Sequence, residues 1–243
     1  MRHTLIRTIL LVVLGLFISQ TVSAQTFQFR GIRYNTWSGT THSELPNYFD
    51  AKVPYSFWGV EGLGYGNGIF MRSGMSFMEG TTRETVDGID YQVLQGSVVY
   101  FSVGYYNPVL DGLAYAGYGF YTDFGWAGVK SGNGSNGLNT FSMILGMEFP
   151  YTLSVNDWSR VHGELLIGNV WNEYKVLAGL ETGLSAEFQL VPINHAMISA
   201  GVEWKRRSST LDANSYDGLK YKVNNLSLNL GITISLKGQT RER

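Results

Sequence analysis

The stretch Leu226-Ser227-Leu228-Asn229-Leu230-Gly231-Ile232-Thr233-Ile234-Ser235-Leu236 alternates apolar and polar residues without an error. A period of two puts successive side chains on opposite faces of a pleated strand, so one face here is aliphatic and the other small and polar. The same alternation runs back toward the N-terminus. Ile198, Ala200, Val202 and Trp204 oppose Ser199, Gly201, Glu203 and Lys205, and Leu184, Ala186, Phe188 and Leu190 oppose Gly183, Ser185, Glu187 and Gln189. Residues 161–167, 141–151, 113–126 and 69–78 follow the pattern, with His162 and Glu164, Glu148, Tyr121 and Asp123, and Arg72 on their polar faces. Residues 27–37, 53–65 and 91–105 are noisier, and a bulge near Gly31 or Gly96 would account for a change of phase.

Composition agrees with strands. The chain of 243 residues has 30 Gly, 15 Tyr and 13 Phe against 5 Pro, a mix that favours twisted, aromatic-packed sheets. A formal net charge of −1 and the absence of cysteine exclude a basic nucleic-acid binder, a disulfide-stapled miniprotein and a thiolate metal site.

The first 24 residues read differently. Arg2 and Arg7 precede an apolar run from Ile9 to Ile18, followed by Val22-Ser23-Ala24. That run is half the length a spanning helix needs, and the small residues suit signal peptidase, so residues 1–24 are expected to be a cleaved secretory signal peptide and residues 25–243 one domain. Removing Arg2 and Arg7 from 18 basic residues leaves 16 against 19 acidic ones, a mature charge of −3.

Beyond residue 24 no apolar stretch is long enough to span a membrane as a helix. Only a closed sheet could then cross, because every backbone N–H and C=O must be satisfied away from water. The segments predict an all-β, closed antiparallel up-and-down transmembrane β-barrel of about ten strands, with eight or twelve left open. Long polar connections at 38–52, 79–90, 127–138 and 208–219 alternate with tighter ones, such as Gly66-Asn67-Gly68, and the short connection near 169–176 is the weakest point in the count. Long outer loops and short periplasmic turns place both termini in the periplasm.

Three features put the apolar face outside. In the best-phased strands the polar parity holds Asp123, Glu148, Arg160, His162, Glu164, Glu181, Glu187, Glu203, Lys205, Arg207 and Lys237, and the apolar parity only Arg206. The polar parity is rich in Gly and Ser, which suits a narrow filled lumen. Trp37, Trp58, Trp126, Trp171 and Trp204 fall toward the outer strand ends, and Tyr65, Tyr105, Tyr106, Tyr151 and Trp158 toward the other, as two headgroup-level girdles.

With these segments laid out, the chain resembles the small bacterial outer-membrane β-barrel families, of porin-like type. Val22-Ser23-Ala24-Gln25 is similar to the signal-cleavage style common in Bacteroidota. The resemblance spans Gln25 to Leu236 and rests on pattern, so it implies architecture alone. Many proteobacterial barrels finish on an aromatic residue, whereas this chain ends Leu236-Lys237-Gly238-Gln239-Thr240-Arg241-Glu242-Arg243.

No chemistry is expected. His42 with Asp50, and Asp87 with Asp90, sit in polar connections where an omptin protease would carry its acids and histidine, but solvated loop charge explains them. His162 and Glu164 face the lumen with no identifiable serine nucleophile, which disfavours a lipid A deacylase. His42, His162 and His195 lack ligand spacing, so no metal or cofactor is expected. Arg72, Asp123, Glu148, Arg160, His162, Glu164, Glu181, Glu187, Glu203, Lys205 and Arg207 are read as a lumenal charge lattice in which opposite charges on adjacent strands satisfy one another. The expected role is a non-enzymatic envelope protein, structural, adhesive or complex-forming. Its partners would be outer-membrane lipid and lipopolysaccharide, other envelope proteins through the outer loops, and no nucleic acid. A narrow solute channel and an outer-membrane hydrolase are the alternatives.

Overall fold

The computed structural model describes residues 28–46, 49–66, 68–78, 83–86, 89–93, 96–110, 113–131, 137–156, 158–172, 179–193, 196–210 and 220–240. Ten antiparallel strands form the barrel: β1 (Gln28–Leu45), β2 (Phe49–Gly66), β3 (Ile69–Met78), β6 (Gly96–Val109), β7 (Ala114–Ser131), β8 (Gly137–Asn156), β9 (Ser159–Asn172), β10 (Gly179–Ile193), β11 (Ala196–Thr210) and β12 (Lys220–Thr240). Each pairs with its neighbour, and β1 closes the sheet on β12 through pairs such as Ile32 with Ile234 and Trp37 with Asn229. Closure removes the sheet edges that would otherwise leave backbone groups unpaired.

Both phase changes in the noisy segments are bulges. The β1–β12 register shifts at Arg30/Gly31, and the β6–β7 register between Ser97 and Val99. Strands β9 and β10 pair as separate neighbours, Glu181 with Gly168 and Glu187 with His162, which fixes the count at ten. The two termini share one end with the connections at 67–68, 110–113, 157–158 and 194–195, and Gly68 adopts a φ of 74° to make the first of these turns. This is the terminus end; the opposite one is the loop end.

At the loop end the strands run further than their apolar pattern suggests. Residues 38–52 are largely not a loop, because β1 continues to Leu45 and β2 restarts at Phe49. Part of 79–90 belongs to a hairpin of β4 (Arg83–Val86) and β5 (Ile89–Val93), which lies against β2 while β5 pairs with the top of β7. Strands β1, β2 and β7 have 18 residues each and β12 has 21, well beyond the roughly 10 a tilted strand needs to cross a bilayer.

Polarity divides this long barrel in two. Over the terminus-end part, the outside is an apolar belt that includes Ile32, Tyr34, Val60, Leu165, Phe188, Val202, Leu228 and Ile232, all exposed. The inside there is mostly polar. Toward the loop end of β2 the signs reverse: Phe57, Tyr55, Val53 and Ala51 are buried inward, while Ser56, Pro54 and Lys52 are exposed. Strand β12 does the same, with Val223 and Tyr221 buried inward and Lys220 exposed. The β2 segment was noisy because its alternation keeps its period and changes its sign.

Two aromatic residues depart from the girdle reading. Trp58, Trp126 and Trp204 do face outward at the loop-end margin of the belt, and Tyr105, Tyr151 and Trp158 at the other margin. Trp37 instead points inward and stacks on Phe57 at 4.8 Å, because the bulge at Gly31 sets its parity with Arg33 and Asn35. Tyr106 is buried inside, with its hydroxyl donating to Thr152. The Tyr65 side chain lies outside the described residues.

Candidate functional site

The lumen collects nearly all the ionisable side chains of the belt region, and two clusters across it organise them. In the first, Arg33 on β1 reaches over to Glu187 on β10, with one Nη1 bond of 3.1 Å and a second contact through Nη2. Arg33 Nη2 also donates to Ser199 Oγ at 2.8 Å, and Nη1 stands 3.6 Å from Glu61, which accepts the Tyr100 hydroxyl. In the second, Arg72 on β3 forks between Glu148 on β8, at 3.0 Å, and Glu164 on β9. Its guanidinium carbon stands 5.6 Å from the Tyr100 ring centre, close enough for a cation–π contribution.

Pairing runs both across the barrel, as in Arg33 with Glu187 and Arg72 with Glu148 and Glu164, and between neighbouring strands, as in Arg33 with its register partner Glu61 on β2. Glu181 with Arg207, at 2.7 Å, is a neighbour pair on β10 and β11, and Glu203 with Lys205, at 3.1 Å, is a pair within β11. Reach explains the cross-lumen pairs: an Arg side chain spans much of a ten-stranded interior, and its planar fork takes two carboxylates at once. Arg160 donates to Gln189 Oε1 at 2.7 Å. Asp123 accepts from Ser97 Oγ at 2.9 Å and from the Tyr121 hydroxyl at 3.0 Å, both on Oδ2.

Arg33 and Glu61 join the lattice expected from the sequence; both lie in the noisy segments, where the alternation does not mark an inner face. The bulge at Gly31 would have placed Arg33 on the inner face. An apolar cluster of Tyr100, Tyr121, Ile144, Leu166 and Val170 also packs inside the barrel, among the charges.

The two ion clusters divide the free space. Toward the loop end lies a cavity of about 100 Å³ lined by Trp37, Phe57, Asp123, Glu181, Lys205 and Asn225 among others. Toward the terminus end lies one of about 20 Å³, lined by Arg33, Tyr106, Thr152, Arg160, His162 and Met197. Glu61 and Glu164 border both.

The smaller cavity contains an arrangement with the order of a hydrolytic triad. His162 Nδ1 is 2.8 Å from Thr152 Oγ1, and His162 Nε2 is 3.3 Å from Glu164 Oε1. Thr152 is already engaged by Tyr106 and Glu164 by Arg72. A space of about 20 Å³ holds a water molecule and no ester or peptide. The constellation is a buried hydrogen-bond relay between strands.

His42 Nε2 and Asp50 Oδ1 are hydrogen-bonded across β1 and β2, but on the outer, exposed face of the loop-end extension. Lys222 pairs there with Glu44 at 3.0 Å. Asp87, the Asp90 side chain and His195 lie outside the described residues.

No protein-family model matches the sequence, and no match is found among curated proteins. Solved structures do match. The outer membrane protease OmpT from Escherichia coli superposes with a TM-score of 0.50 at 11% identity, covering 89% of this chain and 99% of that one. The translocator domain of autotransporter NalP from Neisseria meningitidis gives 0.39 at 11% identity, covering 96% and 95%. The CymD monoaromatic hydrocarbon channel gives 0.35 at 8% identity, covering 86% and 90%. With its closed ten-stranded sheet, outward apolar belt and enclosed charges, the chain has the fold of the bacterial outer-membrane β-barrels.

Proposed function

We propose that this protein is an integral barrel of the bacterial outer membrane that acts through its loop-end extension and loops, with the lumen serving as an internal brace and not as an open pore or a catalytic site. In this reading residues 1–24 are removed on export, both termini face the periplasm and the extension stands above the outer leaflet. The belt contacts lipid, and the exposed Arg206, Lys220 and Lys52 near its upper margin meet lipopolysaccharide phosphates. The cleavage sequence Val22-Ser23-Ala24-Gln25 supports a source among the Bacteroidota. The polar loops carry the freedom to vary that recognition of other envelope proteins requires.

The observation that carries this reading is the division of the lumen by the Arg33–Glu61–Glu187 and Arg72–Glu148–Glu164 clusters into cavities of about 100 and 20 Å³. An ion crossing would have to break buried charge pairs, which cost about 3–5 kcal/mol each when one partner is lost. Purified barrel reconstituted in planar bilayers should give no large, steady conductance. Steady openings of porin size would overturn the reading in favour of a channel.

A further inference from the structure

We infer that the larger lumenal cavity is a binding site for a small primary-ammonium ligand, held by Asp123, Glu181 and Asn225 beneath the Trp37 and Phe57 rings. The cavity is short of positive charge. Six carboxylates line this cavity against Arg72, Lys205 and Arg207, and Arg33, which reaches Glu61 from the neighbouring space, is already paired with Glu187 there, which leaves a surplus of three carboxylates among the described residues. The cations beside Asp123 are committed elsewhere, Lys205 to Glu203 and Arg207 to Glu181. Asp123 itself, 6% exposed, makes no ion pair among the described residues and is held by two hydroxyls. A carboxylate enclosed without a counter-charge costs several kcal/mol.

The cavity also lacks hydrogen-bond donors. Asp123 Oδ1, Glu181 Oε1 and Asn225 Oδ1 are buried oxygens with no hydrogen-bond donor, on residues 6%, 3% and 8% exposed that line the same cavity. All three are acceptors, and the other orphaned atoms on this lining, Glu61 Oε1 and the donor Arg72 Nε, belong to the two ion clusters that wall the cavity off. What is missing is therefore a donor-rich group, and an alkylammonium presents three N–H donors and no acceptor. Water would satisfy the lone pairs but not the charge.

The cavity's upper wall is aromatic. Trp37 and Phe57, stacked at 4.8 Å, give it an aromatic surface where the polar lumen meets the apolar extension. Such faces favour a cation and its alkyl tail together. Trp37 at this position would otherwise be a ring withheld from the belt.

The test is isothermal titration of the detergent-folded, full barrel with ethylammonium chloride. The expected result is saturable one-to-one binding, weakened about tenfold or more in Asp123→Asn, with Asp123→Asn shown to be folded by its altered gel migration before boiling. A second arm needs no variant: tetramethylammonium, which has the charge and no N–H donor, should fail to displace ethylammonium from the wild-type barrel, and sodium should fail likewise. Absence of saturation would mean that the cavity holds water only. Equal binding by Asp123→Asn, or equal displacement by tetramethylammonium or sodium, would mean that the site does not read N–H donors; each of these results overturns the inference. None of them bears on conductance, so the proposed envelope role stands or falls separately.

Discussion

Strand β12 contains two opposite protein surfaces on one ribbon. From Leu226 to Ile234 its outward face is aliphatic and its inward face is Asn, Ser, Gly and Thr, whereas from Lys220 to Asn224 the outward face is Lys and Asn and the inward face is Tyr221 and Val223. The backbone is the same and the period is the same. What changes is the medium on each side. Around the belt, hydrocarbon lies outside and a hydrogen-bonded polar packing inside; around the extension, water lies outside and the core is the ordinary apolar one of a soluble sheet. Amphipathic alternation therefore reports that a strand divides two media, and the neighbouring strands must say which medium is where.

The largest expected effect strikes the belt's interior. Arg33→Met leaves Glu187 and Glu61 buried without their shared cation, and should lower stability by about 3–5 kcal/mol, read as the urea midpoint of unfolding in lipid vesicles. A loss below about 1 kcal/mol would mean that the cross-lumen cluster does not brace the barrel.

Next comes the outside, where one strand supplies both arms of the comparison. Leu230→Arg places a cation in the belt and should cost about 2–4 kcal/mol, while Asn224→Arg, on the same face nearer the loop end, should cost about 0–1 kcal/mol. Equal costs would erase the distinction between belt and extension. The smallest contrast concerns the inside. Val223, fully buried in the extension, should lose about 2 kcal/mol on Val223→Ala, visible as faster proteolysis at the loop end while the boiled and unboiled gel forms still differ. If the belt and the extension were lost together, the extension would not be a separate folding layer.

Legibility followed the same boundary. Strands β10, β11 and most of β12 could be read because each keeps one polarity over about ten residues. The segment 53–65 could not, since its outward face passes from Val60 and Trp58 to Ser56 and Pro54 while its inward face passes from Glu61 to Phe57 and Tyr55. Residues 38–52 looked like a long loop for a related reason: a strand that has left hydrocarbon no longer needs apolar residues outside, so Ser38, Thr40, His42 and Glu44 mimic a polar connection.

By itself the sequence determined that this is a closed sheet of about ten strands and, where the alternation keeps its phase, which belt residues face inward, because alternation and turn chemistry are local and repeat along the chain; the exact count waited for the pairing of β9 with β10. The sequence could not determine that Arg33 meets Glu187, 154 positions away, that Arg72 on β3 reaches both β8 and β9, or that a cavity with unanswered acceptors lies on the loop-end side of these clusters. Those depend on the barrel's shear and diameter, which set which side chains face each other across the lumen and which are left without partners.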